Sequence, residues 1–316
     1  MGSHRKVVIA LGGNALQERN TPATAEAQFG VIKRTSEVIA DIKCTFNYEI
    51  AIVHGNGPQV GRILLASETA ANVTPAMPFD VCLAMSQGYI GYHIQQGLSH
   101  ALAGRNRNLP VVSMITQVVV DQEDPAFINP TKPIGPFYSQ EEANRLAAEK
   151  NYTFKEDAGR GWRRVVASPM PKRIVELHAI KELWDSTIVV STGGGGIPVI
   201  EREDGTLIGV AAVIDKDLAA ERLAEEVGAD ILLILTDVER VCINYKKPDQ
   251  KDLERMTVAE GEQYIAQEHF APGSMLPKIQ AAISFARLGG GRKAIITSLY
   301  KAIDALKGYS GTEISM

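Results

Sequence analysis

The sequence predicts an α/β protein with a mainly parallel central sheet. Three observations predict it. Val7, Val8, Ile9 and Leu11 form an apolar, mostly β-branched run that breaks into Gly12-Gly13-Asn14. No solvated face is left, as in a strand buried on both sides of a parallel sheet. The same design recurs where 50–53 (IAIV) runs into His54-Gly55-Asn56-Gly57-Pro58-Gln59-Val60-Gly61, and where 187–191 (TIVVS) runs into Thr192-Gly193-Gly194-Gly195-Gly196. Finally, the second half of the 316-residue chain alternates apolar strands with periodic helices, as α/β units do.

Three strands ending in glycines place three flexible loops along one edge of one sheet. Bare backbone lets a ligand approach closely. Free N–H groups at the carboxyl end of a parallel strand, followed by a helix, make an anion site. A single Gly-Gly is equally compatible with a tight β-to-α turn; the threefold repetition favours phosphate.

After the first loop, 25–41 reads as a helix with Ala27, Val31, Val38 and Ile42 on one buried stripe. A second helix begins near Pro58, with Val60, Ile63, Leu64 and Ser67 on one face. Residues 80–103 form one long helix. Gly88, Gly91 and Gly97 weaken it in isolation; small residues beside Met85, Tyr89 and Tyr92 suit close packing, against the core or against a second subunit. Residues 111–120 read as one strand. Residues 121–171 leave the pattern, with Pro125, Pro130, Pro133 and Pro136 crowding their first part. Ile134, Phe137, Tyr138, Phe154 and Trp162 give this stretch something to fold around, so it reads as a small ordered lid. A helix over 174–185 leads to the third glycine loop. Further on, a helix starts at Asp215-Lys216-Asp217, and a buried strand over 231–235 ends at Thr236-Asp237. A helix covers 257–268. Ser274 caps another, carrying Ile279, Ala282, Ile283 and Ala286 and stopped by Gly289-Gly290-Gly291. Residues 294–298 form the last long strand.

Charge is nearly balanced, 33 basic against 37 acidic residues for a net −4, and leaves no nucleic-acid footprint. Cys44, Cys82 and Cys242 are too scattered for a disulfide framework or a zinc knuckle, which fits a reducing, cytosolic setting. The six histidines are scattered too, so no His-based metal site is expected. No apolar run marks a targeting or membrane-spanning segment. Met1-Gly2 is followed by Lys at position 6, not the Ser or Thr of a myristoylation motif, and Gly2-Ser3-His4 is left out of the fold.

No Walker A motif is present. Gly55-x-Gly57-x-x-x-Gly61 is one residue too long for a dinucleotide fingerprint and lacks the acidic partner. Positive charge must therefore reach the loops from elsewhere. Lys216 lies between two aspartates at a helix start. Lys278 lies in a first helical turn, against the macrodipole. Lys132 lies in the rigid Asn129-Pro130-Thr131-Lys132-Pro133 segment. A lone lysine is normally solvated; Lys278 and Lys132 stand out because their settings disfavour or fix a cation unless an anion is near.

Together, Ile9 to Asn14, His54 to Gly61, Thr192 to Val199, Val213 to Ala219, Ile243 to Gln250, and Pro272 to Lys278 resemble the carbamate kinases of the amino-acid kinase family, as do Pro130 to Gly135 and Asp157 to Trp162 in the lid. The resemblance covers essentially the whole chain in motif order. It implies a three-layer α/β/α sandwich with a small protruding lid at about 121–171. It also implies an N-terminal carbamate-binding lobe (1–190), a C-terminal nucleotide-binding lobe (191–316), and a cytoplasmic homodimer with no nucleic-acid or membrane partner. The implied reaction is reversible phosphoryl transfer between ATP and carbamate, giving ADP and carbamoyl phosphate. It would run toward ATP at the end of fermentative arginine breakdown, with Mg²⁺ held by nucleotide phosphates and no protein metal ligands.

Under that resemblance Gly12, Gly13, Asn14, Gly55, Asn56 and Gly57 supply N–H donors for carbamate and the moving phosphoryl. Lys216 and Lys278 supply charge, with Asp217 between them; Lys132 swings in with the lid. Gly194, Gly195, Asp237, Tyr245, Ser274 and Met275 hold the nucleotide, Tyr245 and Met275 either sandwiching adenine or simply packing in the core. Relatives that phosphorylate amino-acid carboxylates carry a lysine two residues before Gly-Gly, where this chain has Ala10; Lys132 is the expected replacement. Cys242 reads as a bystander beside the nucleotide, where a bulky thiol adduct would obstruct ATP.

Overall fold

The computed structural model describes residues 5–18, 22–157 and 159–316; Gly2-Ser3-His4, and Ala158 of the lid phrase, lie outside the described residues. The chain opens with β1 (Lys6–Leu11), α1 (Ala25–Phe46), β2 (Glu49–His54), α2 (Gly57–Thr69) and α3 (Phe79–Ala103). Next come β3 (Val111–Ser113), β4 (Gln117–Val120), β5 (Lys132–Tyr138), α4 (Gln140–Lys150), β6 (Thr153–Glu156), β7 (Trp162–Val166) and β8 (Pro171–Ile174). Then follow α5 (Leu177–Trp184), β9 (Ile188–Val190), β10 (Ile197–Glu201), β11 (Leu207–Gly209), α6 (Lys216–Glu226) and β12 (Ile231–Thr236). The chain ends with β13 (Val241–Ile243), β14 (Lys251–Leu253), β15 (Arg255–Thr257), α7 (Val258–Ala266), α8 (Met275–Arg287), β16 (Lys293–Ser298), α9 (Ala302–Leu306) and β17 (Thr312–Ser315).

Among the described residues the main sheet has eight strands, in the order β15-β17-β16-β12-β1-β2-β9-β3. From β16 to β3 every pairing is parallel; β17 runs antiparallel to β16, and β15 pairs parallel with β17, so these two edge strands run against the rest. The alternation of β1 builds the three layers. Val7, Ile9 and Leu11 pack with Ile32, Ile39, Ile94, Leu98 and Leu306 of α1, α3 and α9. Val8 and Ala10 face the opposite side, with Leu223 of α6 and Ile279 and Phe285 of α8. Ala10, where a relative would carry lysine, is fully buried there.

The glycine-tipped strands β1, β2 and β9 are parallel neighbours, so their loops emerge side by side. The lid is a three-stranded sheet, β5-β7-β6, with α4 against it. Its root is apolar: Ile134 and Val166 share a cluster with Val60 and Leu64 of α2 and Leu83 of α3.

Several local expectations are corrected. Residues 111–120 are two strands in different sheets, because the Gln87 amide clamps Thr116 between them, accepting from its N–H at 2.8 Å and donating to its carbonyl at 3.1 Å. The helix expected from 174 starts at Leu177, since Ile174 pairs with Val118 in the second sheet. Helix α1 runs on to Phe46, and its buried stripe includes Gln28, Thr35 and Ser36, while Ala27 and Val38 are half-buried. The polar residues are tolerated inside because each is bonded: Thr35 to the Ala15 carbonyl at 2.7 Å, Ser36 to the Ile32 carbonyl at 2.8 Å, and Gln28 to the Tyr89 hydroxyl.

Candidate active site

Helix α6 organises the site. Its N-cap is Asp215, whose Oδ1 accepts from the Asp217 N–H at 2.9 Å. This places Lys216 and Asp217 in the first turn, where a carboxylate is favoured by the helix dipole. Asp217 is 2 % exposed and holds two ammonium groups at once: Lys216 Nζ on Oδ1 at 2.5 Å and Lys278 Nζ on Oδ2 at 2.7 Å. Burial alone would raise the Asp217 pKa; the two lysines outweigh it and hold it at about 2. Lys216 moves below the ordinary lysine value, chiefly through burial; Asp217 opposes this and Lys278 adds to it. Two cations sharing one anion leave the cleft with positive charge to place.

A third lysine enters from the lid. Lys132, first residue of β5, donates from Nζ to Asp215 Oδ2 at 2.9 Å. One aspartate therefore caps α6 and anchors the lid strand. These groups line a cleft of about 240 Å³ together with Gly13, Gly55, Asn56, Gly57, Gln59, Gly194, Gly273 and Ser274. Sequence reasoning gave Asp215 and Gln59 no role of their own.

The glycines divide by task. Gly12 and Gly55 do not offer their N–H groups as expected: Gly12 donates to the Leu235 carbonyl at 3.0 Å and Gly55 to the Leu11 carbonyl at 3.2 Å, each extending the sheet by one residue. Gly13, Asn56 and Gly57 line the cleft, whereas Asn14, expected beside them, lines the neighbouring cavity instead. Gly55 also lies against the lysine stem: a Cβ there would stand 3.4 Å from Lys216 Cδ, in van der Waals contact. In the third loop, Gly194 and Gly195 both have positive φ; a Cβ would lie 2.1 Å from Asn56 Nδ2 or 2.2 Å from the Ile214 carbonyl oxygen. Protein groups fill that space. The Asn56 side chain, pressed there, donates to Ser86 Oγ at 2.8 Å. His54, fully buried, precedes the second loop, its Nδ1 2.8 Å from the Gly55 carbonyl; burial, the leading cause, pushes its pKa down to about 4.

Ser274 occupies the N-cap position of α8 without capping through its side chain. The Leu276 N–H already bonds the Ala271 carbonyl at 3.1 Å, and Pro277, third in the helix, has no N–H to give. Ser274 lines the cleft instead. The remaining expected nucleotide residues do not line it. Asp237 lines a neighbouring cavity of about 340 Å³ with Gly12, Asn14, Thr236, Ser298 and Tyr300. Tyr245 is 60 % exposed, and Met275 leans on the core at the head of α8. Cys242 is half-buried on β13, opposite Asp252; burial pushes its thiol pKa up, with a smaller push from Asp252.

Residues 5–298 match the amino acid kinase family. The chain is similar to a carbamate kinase of Thermococcus kodakarensis, 53 % identical over 98 % of this chain and 99 % of that one. A carbamate kinase of Clostridium perfringens is 54 % identical over the same shares. In structure it is similar to a Giardia lamblia carbamate kinase bound to AMP-PNP, with TM-score 0.93, 46 % identity and coverage of 100 % and 99 %. The chain belongs to the amino acid kinase family, among its carbamate kinases. It is a phosphotransferase.

Proposed function

We propose that the chain interconverts ATP plus carbamate with ADP plus carbamoyl phosphate, working toward ATP in the fermentative breakdown of arginine in the cytoplasm. The observation that carries this is the pair of buried ammonium groups sharing Asp217 beside three glycine loops. A carbamate oxygen is already anionic, so no general base is required. Catalysis reduces to aligning two anions and neutralising charge in flight. In the ATP-forming direction an ADP β-phosphate oxygen attacks phosphorus, the bond from phosphorus to the carbamate oxygen breaks, and carbamate leaves with the electron pair. Lys216 and Lys278 meet the equatorial oxygens, Gly13 and Gly57 add N–H donors, and Lys132 leaves Asp215 to cover the carbamate.

The cleft carboxylates suit a metal that arrives with the nucleotide: Asp215 and Asp217 are both engaged by lysines, and among the described residues no three His, Cys, Asp or Glu side chains cluster as ligands. Mg²⁺ would neutralise charge from the nucleotide phosphates. Residues 1–190 would serve carbamate and 191–316 the nucleotide, with Gly194, Gly195, Asp237, Tyr245, Ser274 and Met275 on the nucleotide side. A homodimer is supported by the outer face of α3, where Val81, Met85 and Tyr92 are 37 %, 49 % and 59 % exposed along one stripe. No described helix is long and apolar enough to cross a membrane. The test is ATP formation by purified protein from ADP, Mg²⁺ and carbamoyl phosphate. A folded but inert protein would overturn the assignment.

A further inference from the structure

One side chain in the cleft wall has no stated task and no partner. Gln59 stands in the first turn of α2 and is 1 % exposed, yet among the described residues neither its Nε2 nor its Oε1 has a hydrogen-bond partner. A buried primary amide with both ends unpaired is uncommon and calls for a cause. The local remedy is refused. In a capping box a Gln at the third helical position reaches back to the N-cap N–H, but Gln59 makes no such bond to the N-cap residue, Asn56. The neighbouring amide, that of Asn56, is committed to Ser86 Oγ. Gln59 lines the same cleft as Lys132, Pro133 and Ile134 of the lid strand. That strand packs closely on α2: a Cβ on Gly61 would stand 3.4 Å from Gly135 Cα.

An amide of this kind offers one donor and one acceptor side by side. Its chemical complement is another planar N–C=O edge. Carbamate and carbamoyl phosphate carry such an edge; acetyl phosphate presents a methyl group in place of the NH₂. We propose that Gln59 is the specificity residue of this site: Oε1 accepts from the carbamoyl NH₂ while Nε2 donates to the carbamoyl oxygen. This rests on the carbamate reading above. The lysines recognise charge and would accept any acyl phosphate; Gln59 recognises the nitrogen. A site built to hydrogen-bond a substrate group rejects the analogue lacking it, because the protein's own polar atoms then stay unpaired.

The experiment compares wild type with Gln59→Met, which keeps the length of the side chain and removes the amide. Two quantities are measured: kcat/KM for ATP formation from carbamoyl phosphate, and the inhibition constant of acetyl phosphate against it. Q59M should lower kcat/KM for carbamoyl phosphate by about 10- to 100-fold and leave the acetyl phosphate constant within about threefold. Its melting temperature should equal or exceed that of wild type, since an unpaired buried amide has been removed. Gln59→Leu should show the same split and serves if the methionine packs badly. Parallel weakening of both ligands, or no change in either, overturns the proposal. Wild type inert toward carbamoyl phosphate overturns the underlying reading instead, and this one with it.

Discussion

Asp217→Asn tests the centre of the site most directly. The substitution keeps size and one acceptor oxygen but removes the charge that both Lys216 and Lys278 touch, at 2.5 and 2.7 Å. Breaking a buried ion pair by neutralising one partner costs about 3–5 kcal/mol, because the other charge is left uncompensated. At about 2.1 cal/mol/K per residue over 316 residues, that loss lowers the melting temperature by about 5–8 °C. Lys216, whose pKa already lies below the ordinary value, loses the neighbour that raises it and shifts further toward the neutral amine. Turnover should then fall by at least 10³-fold, since loss of one preorganised group at a developing charge costs about 10²–10³ and two ammonium groups are displaced here. The assay is ATP formation from ADP and carbamoyl phosphate from pH 6 to 9, with a thermal melt at each pH. Added sulfate should raise the melting temperature of D217N more than that of wild type, by supplying the missing anion, while turnover stays low. A variant that melts as wild type does and turns over within threefold of it would refute the account of the lysine pair.

Glu221, 6 % exposed on α6, has its pKa raised by burial from 4.5 to about 7, so the folded state holds a proton that the unfolded state releases above pH 4.5. Stability therefore falls as pH rises from 4.5 to 7; Glu221→Gln should stabilise by roughly 3 kcal/mol at pH 8 and not at pH 4, read from chemical melts at both. His54 acts in the opposite sense, its pKa of about 4 lying below the usual 6.5, so stability is lost as pH falls from 6.5 to 4. Gly91→Ala on α3 would set a Cβ 1.9 Å from Ser113 Oγ, and should cost about 1–3 kcal/mol that Ser113→Gly partly restores in the double variant. Tyr92→Glu should shift the protein toward monomer in sedimentation velocity at micromolar concentration; an unchanged species would place the subunit contact elsewhere.

Much of the fold was legible because its signals are local. The interiors of β1, β2 and β12 are wholly apolar, and glycines follow the first two strands directly, as expected of strands buried on both faces. Short strands defeated the same reasoning. β3, β11, β13, β14 and β15 have three residues each, too few to show a period, and the break at Thr116 is imposed by Gln87, 29 residues away. The rotated stripe of α1 failed for a related reason: Gln28 and Thr35 look solvated until their partners on other elements are known, and Ser36 until its bond back to the Ile32 carbonyl is.

The site divides along the same line. Lys278 and Lys132 stand out in the sequence because their settings disfavour or fix a cation, Lys216 is marked by its two flanking aspartates, and Asp217 gains a role only through the family resemblance; the fold brings all four to one cleft. The glycines were visible as glycines, but not what each excludes. Gly194 and Gly195 look like ligand loops, yet a Cβ on either would strike Asn56 or Ile214. Ser274 shows the limit from the other side. Its sequence context reads as a cap, but Pro277 three residues on removes the N–H it would need, and that absence was already written in the chain. Gln59 could not be found in this way at all. A glutamine in a helical first turn carries no signal; only the absence of a partner among the described residues around its buried amide does, and that becomes visible only once the packed elements are in place.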